Sequence, residues 1–187
     1  MKPPKVTRSE YVYRGRVVTL RRDYVVMEDG SEAVREVVEH RGAVAVVPKL
    51  DAGTILLVRQ YRQAVGEMLL EIPAGTLEEG ESPDACAARE LEEEVGYRAR
   101  RLRRLFHQYL APGYSSEVLH VYVGEELVPS SAHPDADEEL ETVAVPIQEV
   151  ERMILAGEIR DAKSIAGLLV ALHLDGNGGR EGASRRS

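Results

Sequence analysis

At 187 residues the chain is long enough for one domain with a sizeable hydrophobic core, with or without an appendage. Its 43% hydrophobic and 30% charged residues are typical of a soluble globular protein. The net charge of −8 disfavours a nucleic-acid polymer as partner, because contact with a phosphate backbone requires a basic surface.

The first forty residues contain three β-rich segments, at residues 11–18, 22–28 and 33–40. The sequence EDGS at residues 28–31 predicts the turn between the last two. We expect a small antiparallel sheet. Because so few strands are only marginally stable by themselves, this sheet should pack on the main domain or on a second subunit.

From residue 42 the pattern becomes that of buried strands. Residues 43–48 and 54–60 are nearly continuous apolar runs, as expected for strands that are covered on both faces. Residues 68–73 then lead into Pro73-Ala74-Gly75, which we interpret as a tight turn. Glycine at this turn would let backbone carbonyls approach a bound ion.

An acidic helix is predicted at residues 83–95, with Ser82 as its N-cap and Gly96 as its left-handed stop. Three carboxylates share one of its faces because they are spaced three and four residues apart: Glu90, Glu93 and Glu94. Like charges at this spacing repel, and anions near a helix C-terminus oppose the helix dipole. A sequence that breaks such local rules is expected to do so at a functional site.

A bound cation would remove this repulsion. An all-oxygen cluster without His or Cys suits a hard ion such as Mg²⁺, with Mn²⁺ or another divalent cation as alternatives. The other interpretation is a solvated acidic face that Arg89 partly neutralises.

Beyond the acidic helix, strands are predicted at residues 98–109, 118–123 and 140–145. Residues 125–139 have no periodic pattern and are interpreted as a loop, either functional or disordered. One helix should begin at Pro146, and Asp161 should cap the last helix. The polar tail, residues 175–187, is predicted to be disordered.

The stretch from Gly75 to Tyr97, GTLEEGESPDACAARELEEEVGY, resembles the Nudix box, the signature of Nudix hydrolases. The matching positions are Gly75, Glu81, Arg89, Glu90, Leu91, Glu93, Glu94 and Gly96. Tyr97 stands where the signature usually has an aliphatic residue. The resemblance implies hydrolysis of a nucleoside diphosphate linked to another moiety. It also implies an α/β/α sandwich with a mixed sheet at residues 41–174, beside a small N-terminal antiparallel β-subdomain at residues 1–40.

Segments outside the box resemble the branch of the family that hydrolyses ADP-ribose. These segments are EIPAG at residues 71–75, Pro112 in APGYSSE, and GEIRDAKSIAGLL at residues 157–169. The resemblance implies Mg²⁺-dependent cleavage of ADP-ribose to AMP and ribose 5-phosphate. The alternatives are another nucleoside diphosphate sugar, such as a GDP-sugar, and a non-catalytic nucleotide-binding protein of the same fold.

The resemblance also implies roles for individual residues. The metals would be held by the carbonyl of Ala74 with Glu90, Glu93 and Glu94. The substrate would be bound by Arg35, Glu36, Arg62 and Pro112, with Arg62 at the diphosphate. Arg35 and Glu36 could equally be exposed cross-strand charges. Because the chain has no tryptophan, Tyr13, Tyr24 or an aliphatic residue would have to contact the base.

The attacking water must lose a proton, and a carboxylate within hydrogen-bond reach can accept it. The resemblance, aligned through the strand at residues 140–145, implies that Glu138 in the acidic loop before this strand is the first candidate for the base. Glu139 takes its place if the register differs by one residue, and Glu93 is the rival on the helix. The alternative is that the loop is an acidic surface segment without a catalytic role.

We expect a homodimer in which the N-terminal sheet packs across to the partner and completes its substrate pocket, as the resemblance suggests. We also expect a cytoplasmic protein without a membrane span or signal peptide, because no apolar run is long enough and none follows the N-terminal lysines. The single cysteine, Cys86, excludes an intrachain disulfide and fits a reducing compartment, and we interpret it as a buried packing residue.

Overall fold

The structure is a computed structural model that describes residues 2–131 and 139–181, with side chains of the last helix described as far as residue 174. The chain forms two compact units, Met1–Gly42 with Tyr109–Val118, and Ala43–Gln108 with Leu119–Ser187. The first unit therefore includes a segment from the middle of the chain in addition to the predicted N-terminal subdomain.

The first unit is a three-stranded antiparallel sheet of β1 (Lys5–Arg14), β2 (Thr19–Val26) and β3 (Glu32–Glu39), in that order. The antiparallel sheet is as predicted, but the predicted bounds of its first strand are wrong. β1 starts at Lys5 and ends before Gly15, whose amide donates to the carbonyl of Val18 at 2.9 Å. A turn thus replaces the predicted end of the strand.

The middle segment joins the first unit through the backbone of β3. The amide of Val38 donates to the carbonyl of Tyr114 at 2.7 Å, and the amide of Ser116 donates to the carbonyl of Val38 at 3.0 Å. This contact spans more than seventy residues of sequence, so no local pattern could predict it.

The described residues of the second unit form two sheets. The strands are β4 (Ala43–Pro48), β5 (Thr54–Arg62), β6 (Glu67–Glu71), β7 (Ala74–Thr76), β8 (Tyr97–Tyr109), β9 (Val118–Pro129) and β10 (Leu140–Pro146). One sheet has the order β10-β5-β6 and is antiparallel throughout. The other has the order β7-β4-β9-β8, in which β4 runs parallel to β9 and antiparallel to β7. The predicted mixed sheet is confirmed.

Three helices complete the described part of the second unit: α1 (Pro83–Val95), α2 (Val150–Leu155) and α3 (Ala162–Glu181). The bounds of α1 coincide with the prediction, because its start and stop signals are local. The hydroxyl of Ser82 accepts the amide of Ala85 at 3.2 Å, and Gly96 has the left-handed φ of 76°. A short 3-10 turn, Ile147–Glu149, follows the predicted helix start at Pro146.

Alternate residues of β4 and β5 pack against different helices. Val44, Val46, Leu56 and Val58 form one apolar cluster with Leu91 of α1. Ala45, Val47, Ile55 and Leu57 form the other cluster with Leu168 of α3. Since side chains of a strand alternate between its faces, these strands lie between two helical layers. This arrangement is the predicted α/β/α sandwich.

Three further predictions differ from the structure. The Pro73-Ala74-Gly75 segment is not a tight turn, because Ala74–Thr76 is a short strand paired with β4. β9 continues to Pro129, into the segment predicted as a loop, and there Glu125 pairs with Arg101 at 2.6 Å. α3 continues to Glu181, whereas a disordered tail was predicted from residue 175. A helix already begun adds a hydrogen bond with each further residue, so its end is weakly encoded.

None of the helices in residues 2–131 and 139–181 combines the length and the hydropathy that a membrane crossing requires.

Candidate active site

The acidic face of α1 lies partly inside the protein. Glu90 is 8% exposed and Glu94 is 5% exposed, whereas Glu93 is half-buried. A buried carboxylate is costly unless it is paired, so each of these side chains requires a specific partner. The structure supplies such partners from the helix itself and from β7.

Arg89 is the main partner within the helix. Its Nη1 donates to Oε1 of Glu90 and to Oε2 of Glu93, both at 2.8 Å. Its Nε and Nη2 donate to the two carboxylate oxygens of Glu81, both at 2.9 Å. The hydrogen bonds from Arg89 lower the pKa of Glu81 to about 2, against a smaller opposing effect of burial. Arg89 therefore ties the turn before the helix to the acidic face.

β7 approaches the same face at close range. The amide of Ala74 donates to Oε2 of Glu94 at 3.1 Å. A Cβ atom on Gly75 would lie 1.8 Å from Oε1 of Glu90, which is far inside van der Waals contact. Any other residue at position 75 would require the Glu90 carboxylate to move away from the strand.

The three predicted carboxylate ligands lie on one face of α1, and each is paired within the protein. Within residues 2–131 and 139–181, no group of three His, Cys, Asp or Glu side chains is arranged to hold a metal ion. The reason is that Arg89 attracts Glu90 and Glu93, while Glu94 accepts from the backbone of β7. The donors nonetheless have the chemistry that a divalent cation prefers, since three carboxylates share one helix face. A cation bound there would share Glu90 and Glu93 with Arg89.

Arg62, the residue predicted to meet a diphosphate, is held by Glu71 at the end of β6. Its Nε donates to Oε1 of Glu71 at 2.9 Å, and its Nη2 donates to Oε2 at 2.7 Å. Burial raises the pKa of Glu71, but the hydrogen bonds from Arg62 and the charge of Lys163 outweigh burial and lower it overall. Glu71 is therefore a buried anion, and Arg62 is its partner.

Glu71, Lys163 and Ser164 were missed as functional candidates in the sequence. Ser164 lies in the first turn of α3 and is fully buried. The signal that could have found Glu71 and Lys163 is a charged residue beside apolar neighbours, in MLLEIP and in AKSIAGLL. The pairing itself spans 92 positions of sequence and has no local signature.

Three predicted substrate residues belong to the first unit. Arg35 is exposed on β3, and its Nη1 donates to the carbonyl of Val34 at 3.1 Å. Glu36 is 3.9 Å from Nη2 of Arg22 on the neighbouring strand. Pro112 lies in a turn in which the amide of Tyr114 donates to the carbonyl of Ala111 at 3.0 Å.

Tyr24, also in the first unit, lines a cavity of about 420 Å³ with neighbours that include Val34. The guanidinium of Arg8 lies 3.8 Å from the centre of its ring. The other aromatic candidate, Tyr13, is exposed on β1.

The predicted base, Glu138, lies outside the described residues. Glu139 is described and is exposed immediately before β10. Glu93, the rival on the helix, is the half-buried carboxylate that accepts from Arg89.

Two other residues in or near the box have packing roles. Tyr97 packs against the apolar cluster beneath α1, so its ring fills the place of the usual aliphatic residue. Cys86 is fully buried, and burial with a hydrogen bond to Glu81 raises the pKa of its thiol to about 12. Such a thiol is unreactive near neutral pH, which supports the packing interpretation.

Comparisons with known proteins match both parts of the chain. Residues 39–168 match the NUDIX domain, and residues 4–38 match the nucleoside diphosphate sugar hydrolase N-terminal domain. A solved structure, a crystal structure of an ADP compounds hydrolase, superposes with a TM-score of 0.86 at 28% identity. The match covers 96% of this chain and 98% of that one.

Three relatives are similar over most of their length. The ADP-ribose pyrophosphatase of Mycobacterium tuberculosis (strain ATCC 25618 / H37Rv) is 44% identical over 88% of this chain and 81% of its own. The ADP-ribose pyrophosphatase of Bacillus subtilis (strain 168) is 38% identical over 86% of this chain and 88% of its own. The GDP-mannose pyrophosphatase of Yersinia enterocolitica serotype O:8 / biotype 1B (strain NCTC 13174 / 8081) is 34% identical over 72% of this chain and 75% of its own.

Proposed function

The chain belongs to the Nudix hydrolase family, and on that premise we propose that it hydrolyses the diphosphate of ADP-ribose to AMP and ribose 5-phosphate. The observation that carries the proposal is the match to the box from Gly75 to Gly96, in which the buried Glu90 of α1 lies where a Cβ on Gly75 would overlap it. The names of the two relatives at 44% and 38% identity support ADP-ribose as the substrate.

Enzymes of this family depend on divalent cations, and we propose Mg²⁺ as the ion used here. It would be held by the carbonyl of Ala74 and by Glu90, Glu93 and Glu94, with Mn²⁺ as the alternative. Bound at these oxygens, the cation would draw charge from the diphosphate and lower the pKa of the attacking water.

Arg62 would contact the diphosphate directly. A guanidinium has five N–H donors, and Glu71 uses only two of them. The remaining donors suit phosphate oxygens, which arginine binds through paired hydrogen bonds. Arg62 would thereby orient the diphosphate and offset its negative charge.

The nucleoside end would be contacted by Arg35, Glu36 and Pro112. The cavity beside Tyr24 is large enough to contribute to a pocket for a nucleobase. Tyr24 supplies an aromatic surface in a chain that has no tryptophan.

The proton of the attacking water would pass to Glu138. Carboxylates that ligate cations are poor proton acceptors, so the base should come from outside the box helix. Glu139 replaces Glu138 if the register of the loop differs by one residue, and Glu93 is the remaining alternative.

We further propose that the protein is a cytoplasmic homodimer. On β1, Val6, Tyr11, Val12 and Tyr13 are all about half exposed, which supports a dimer in which this sheet packs across to the partner and completes its substrate pocket. The single, buried cysteine suits a reducing compartment.

A second candidate substrate is GDP-mannose, favoured by the relative of that name. Steady-state kinetics with ADP-ribose, NADH, GDP-mannose, diadenosine polyphosphates and 8-oxo-dGTP would separate the candidates. We expect ADP-ribose to have the highest kcat/KM, with AMP and ribose 5-phosphate as the only products and no turnover in excess chelator. A higher kcat/KM for GDP-mannose than for ADP-ribose would make GDP-mannose the proposed substrate. No turnover of any compound would favour a non-catalytic nucleotide-binding protein.

A further inference from the structure

The first turn of α3 contributes to a buried polar cluster that the proposed reaction does not itself require. Glu71 is 1% exposed and Lys163 is 9% exposed. The Nζ of Lys163 donates to Oε2 of Glu71 and, at 2.9 Å, to Oδ2 of Asp161. Asp161 also caps the helix, because its Oδ2 accepts the amide of Ser164 at 3.0 Å. Each of these charges is therefore satisfied inside the protein.

The same cluster fixes the backbone that leads to β7. The hydroxyl of Ser164 accepts the amide of Ile72 at 2.9 Å and donates to Oδ2 of Asp161 at 2.6 Å. One turn later, a Cβ on Gly167 would lie 3.0 Å from Cδ1 of Ile72, so the helix packs too closely for a larger residue to fit without a shift of its neighbour. α3 is thus attached to the end of β6 by both side-chain hydrogen bonds and close packing.

Arg62 and Lys163 converge on one oxygen atom. Oε2 of Glu71 accepts from Nη2 of Arg62 as well as from Nζ of Lys163. Oε1 accepts from Nε of Arg62. The carboxylate therefore cannot rotate without breaking a contact to Lys163, and the plane of the guanidinium follows the carboxylate because the two groups form a two-point pair.

Stability of the fold alone does not explain why Glu71 and Lys163 form a buried ion pair. Replacement of a buried ion pair by apolar residues of similar size is often neutral or stabilising, so burial of Glu71 with Lys163 is weak evidence for stability. What the pair does provide is a fixed orientation for Arg62, whose side chain is 38% exposed and whose other donors have no partner among residues 2–131 and 139–181.

We propose that Lys163, acting through Glu71, is a positioning residue that orients the guanidinium of Arg62 toward the diphosphate of the substrate. The inference rests on the proposed function, because it takes Arg62 as the diphosphate-binding group. It predicts that the effect of Lys163 on substrate binding exists only while Arg62 is present.

A double-mutant cycle tests this dependence. Lys163→Met, Arg62→Met and the double variant are compared with the wild type for kcat/KM on ADP-ribose. Direct binding is measured by calorimetry with an ADP-ribose analogue that has a methylene group in place of the bridging oxygen. Lys163→Met should lower both kcat/KM and the affinity for the analogue by about tenfold in the wild-type background and by less than about twofold in the Arg62→Met background. The reason is that the effects of mutations within one hydrogen-bond network are not additive.

Two further variants identify the mechanism. Lys163→Arg keeps the charge and should recover analogue affinity to within about threefold of the wild type, whereas a loss through packing alone would not be recovered. Lys49→Met removes another part-buried lysine, paired with Glu125 at 3.6 Å, and should leave analogue binding unchanged.

If Lys163→Met does not fold, the double variant Glu71→Gln/Lys163→Met removes both charges and leaves no unpaired buried ion. It should fold and bind the analogue about tenfold more weakly than the wild type. Wild-type affinity in this variant would overturn the proposal, as would equal losses from Lys163→Met in both backgrounds.

Failure of the proposed function gives a different result. If the wild type does not hydrolyse ADP-ribose but does hydrolyse GDP-mannose, the cycle is repeated with that substrate, because the diphosphate is common to both. If the wild type is active and Arg62→Met has no effect, the positioning role is overturned while the hydrolase activity stands.

Discussion

Arg89 is the residue on which the acidic face of α1 depends. One guanidinium donates to Glu81, Glu90 and Glu93, and its pKa is raised, chiefly by the hydrogen bonds to Glu81. The helix therefore holds its carboxylates close together before any cation is bound. This explains how a sequence with such local repulsion forms a regular helix. The interpretation as a face neutralised by Arg89 and the interpretation as a metal site are compatible, because the carboxylates that Arg89 neutralises also have the chemistry of metal ligands.

Because of the Glu81–Arg89 pair, the free energy of unfolding should depend on pH in the acid range. The pKa of Glu81 is lowered from 4.5 to about 2 by folding, so its contribution is complete above about pH 4.5 and is lost as the pH falls toward 2. We expect Glu81→Gln to lower the unfolding free energy at pH 6, and the difference from the wild type to vanish near pH 2. Urea denaturation in excess chelator measures this, with Glu79→Gln, an exposed residue of the same turn, as the control. A difference that is constant from pH 6 to pH 2 would contradict the pairing.

The proposed catalytic base is also a single residue, Glu138. Loss of a general base is worth roughly 10² to 10⁴ in rate. Glu138→Gln should therefore lower kcat by at least about 100-fold, while KM and the Mg²⁺ concentration for half-maximal rate stay nearly unchanged. If Glu139→Gln shows the loss instead, the register differs by one residue. If neither does, the base is not in this loop and Glu93→Gln becomes the test.

Among the helices and strands, local sequence signals were sufficient to predict the bounds of α1 and β4. The predictions that were wrong concern elements that depend on contacts between residues far apart in sequence. Ser82 and Gly96 define the ends of α1 within the helix sequence itself. β7 is only three residues long and exists because it pairs with β4, 29 to 33 residues earlier, so its own sequence resembles a turn. The face of α1 was predictable from spacing, whereas the contact of Glu71 with Lys163 joins residues 92 positions apart.

The closeness of α3 to β6 gives a prediction at this scale. Alanine in place of a helical glycine is ordinarily stabilising by about 1 kcal/mol. At Gly167, however, the new Cβ would lie 3.0 Å from Ile72 and 3.2 Å from Val121, and overpacking of this kind costs about 1–3 kcal/mol. We expect Gly167→Ala to lower the unfolding free energy by about 1 kcal/mol, measured by urea denaturation. Increased stability would show that α3 packs less closely than described.

At the scale of the whole molecule, the two units have different means of stabilisation. As far as it is described, the second unit has an apolar cluster on each side of its buried strands. In the first unit β1 is exposed along most of its length, and only Asp23 and Val25 of β2 are fully buried. A three-stranded sheet with so little core gains stability from a partner surface, which is the physical argument for a dimer.

The dimer prediction can be tested without removing the sheet. Val12→Glu places a charge on β1 at a residue that is 49% exposed, so the isolated unit should tolerate it while a partner surface should not. We expect a monomer by light scattering and a rise in KM for ADP-ribose of at least about tenfold. Val65→Glu, at an exposed valine before β6, is the control and should remain dimeric. A fully active, monomeric wild type would rule out the role of the partner.

We propose that the acidic face of α1 is the catalytic centre of an ADP-ribose hydrolase. The most direct measurement is kcat/KM for ADP-ribose, at saturating Mg²⁺, of Glu94→Gln against Glu92→Gln. Both variants remove one charge from the same turn of α1, but Glu92 pairs with Arg98 and Ser130 instead of facing β7. We predict a loss of at least about 100-fold for Glu94→Gln, a loss under about threefold for Glu92→Gln, and melting temperatures without metal that are level or raised in Glu94→Gln. Equal activity in the two variants would contradict the account.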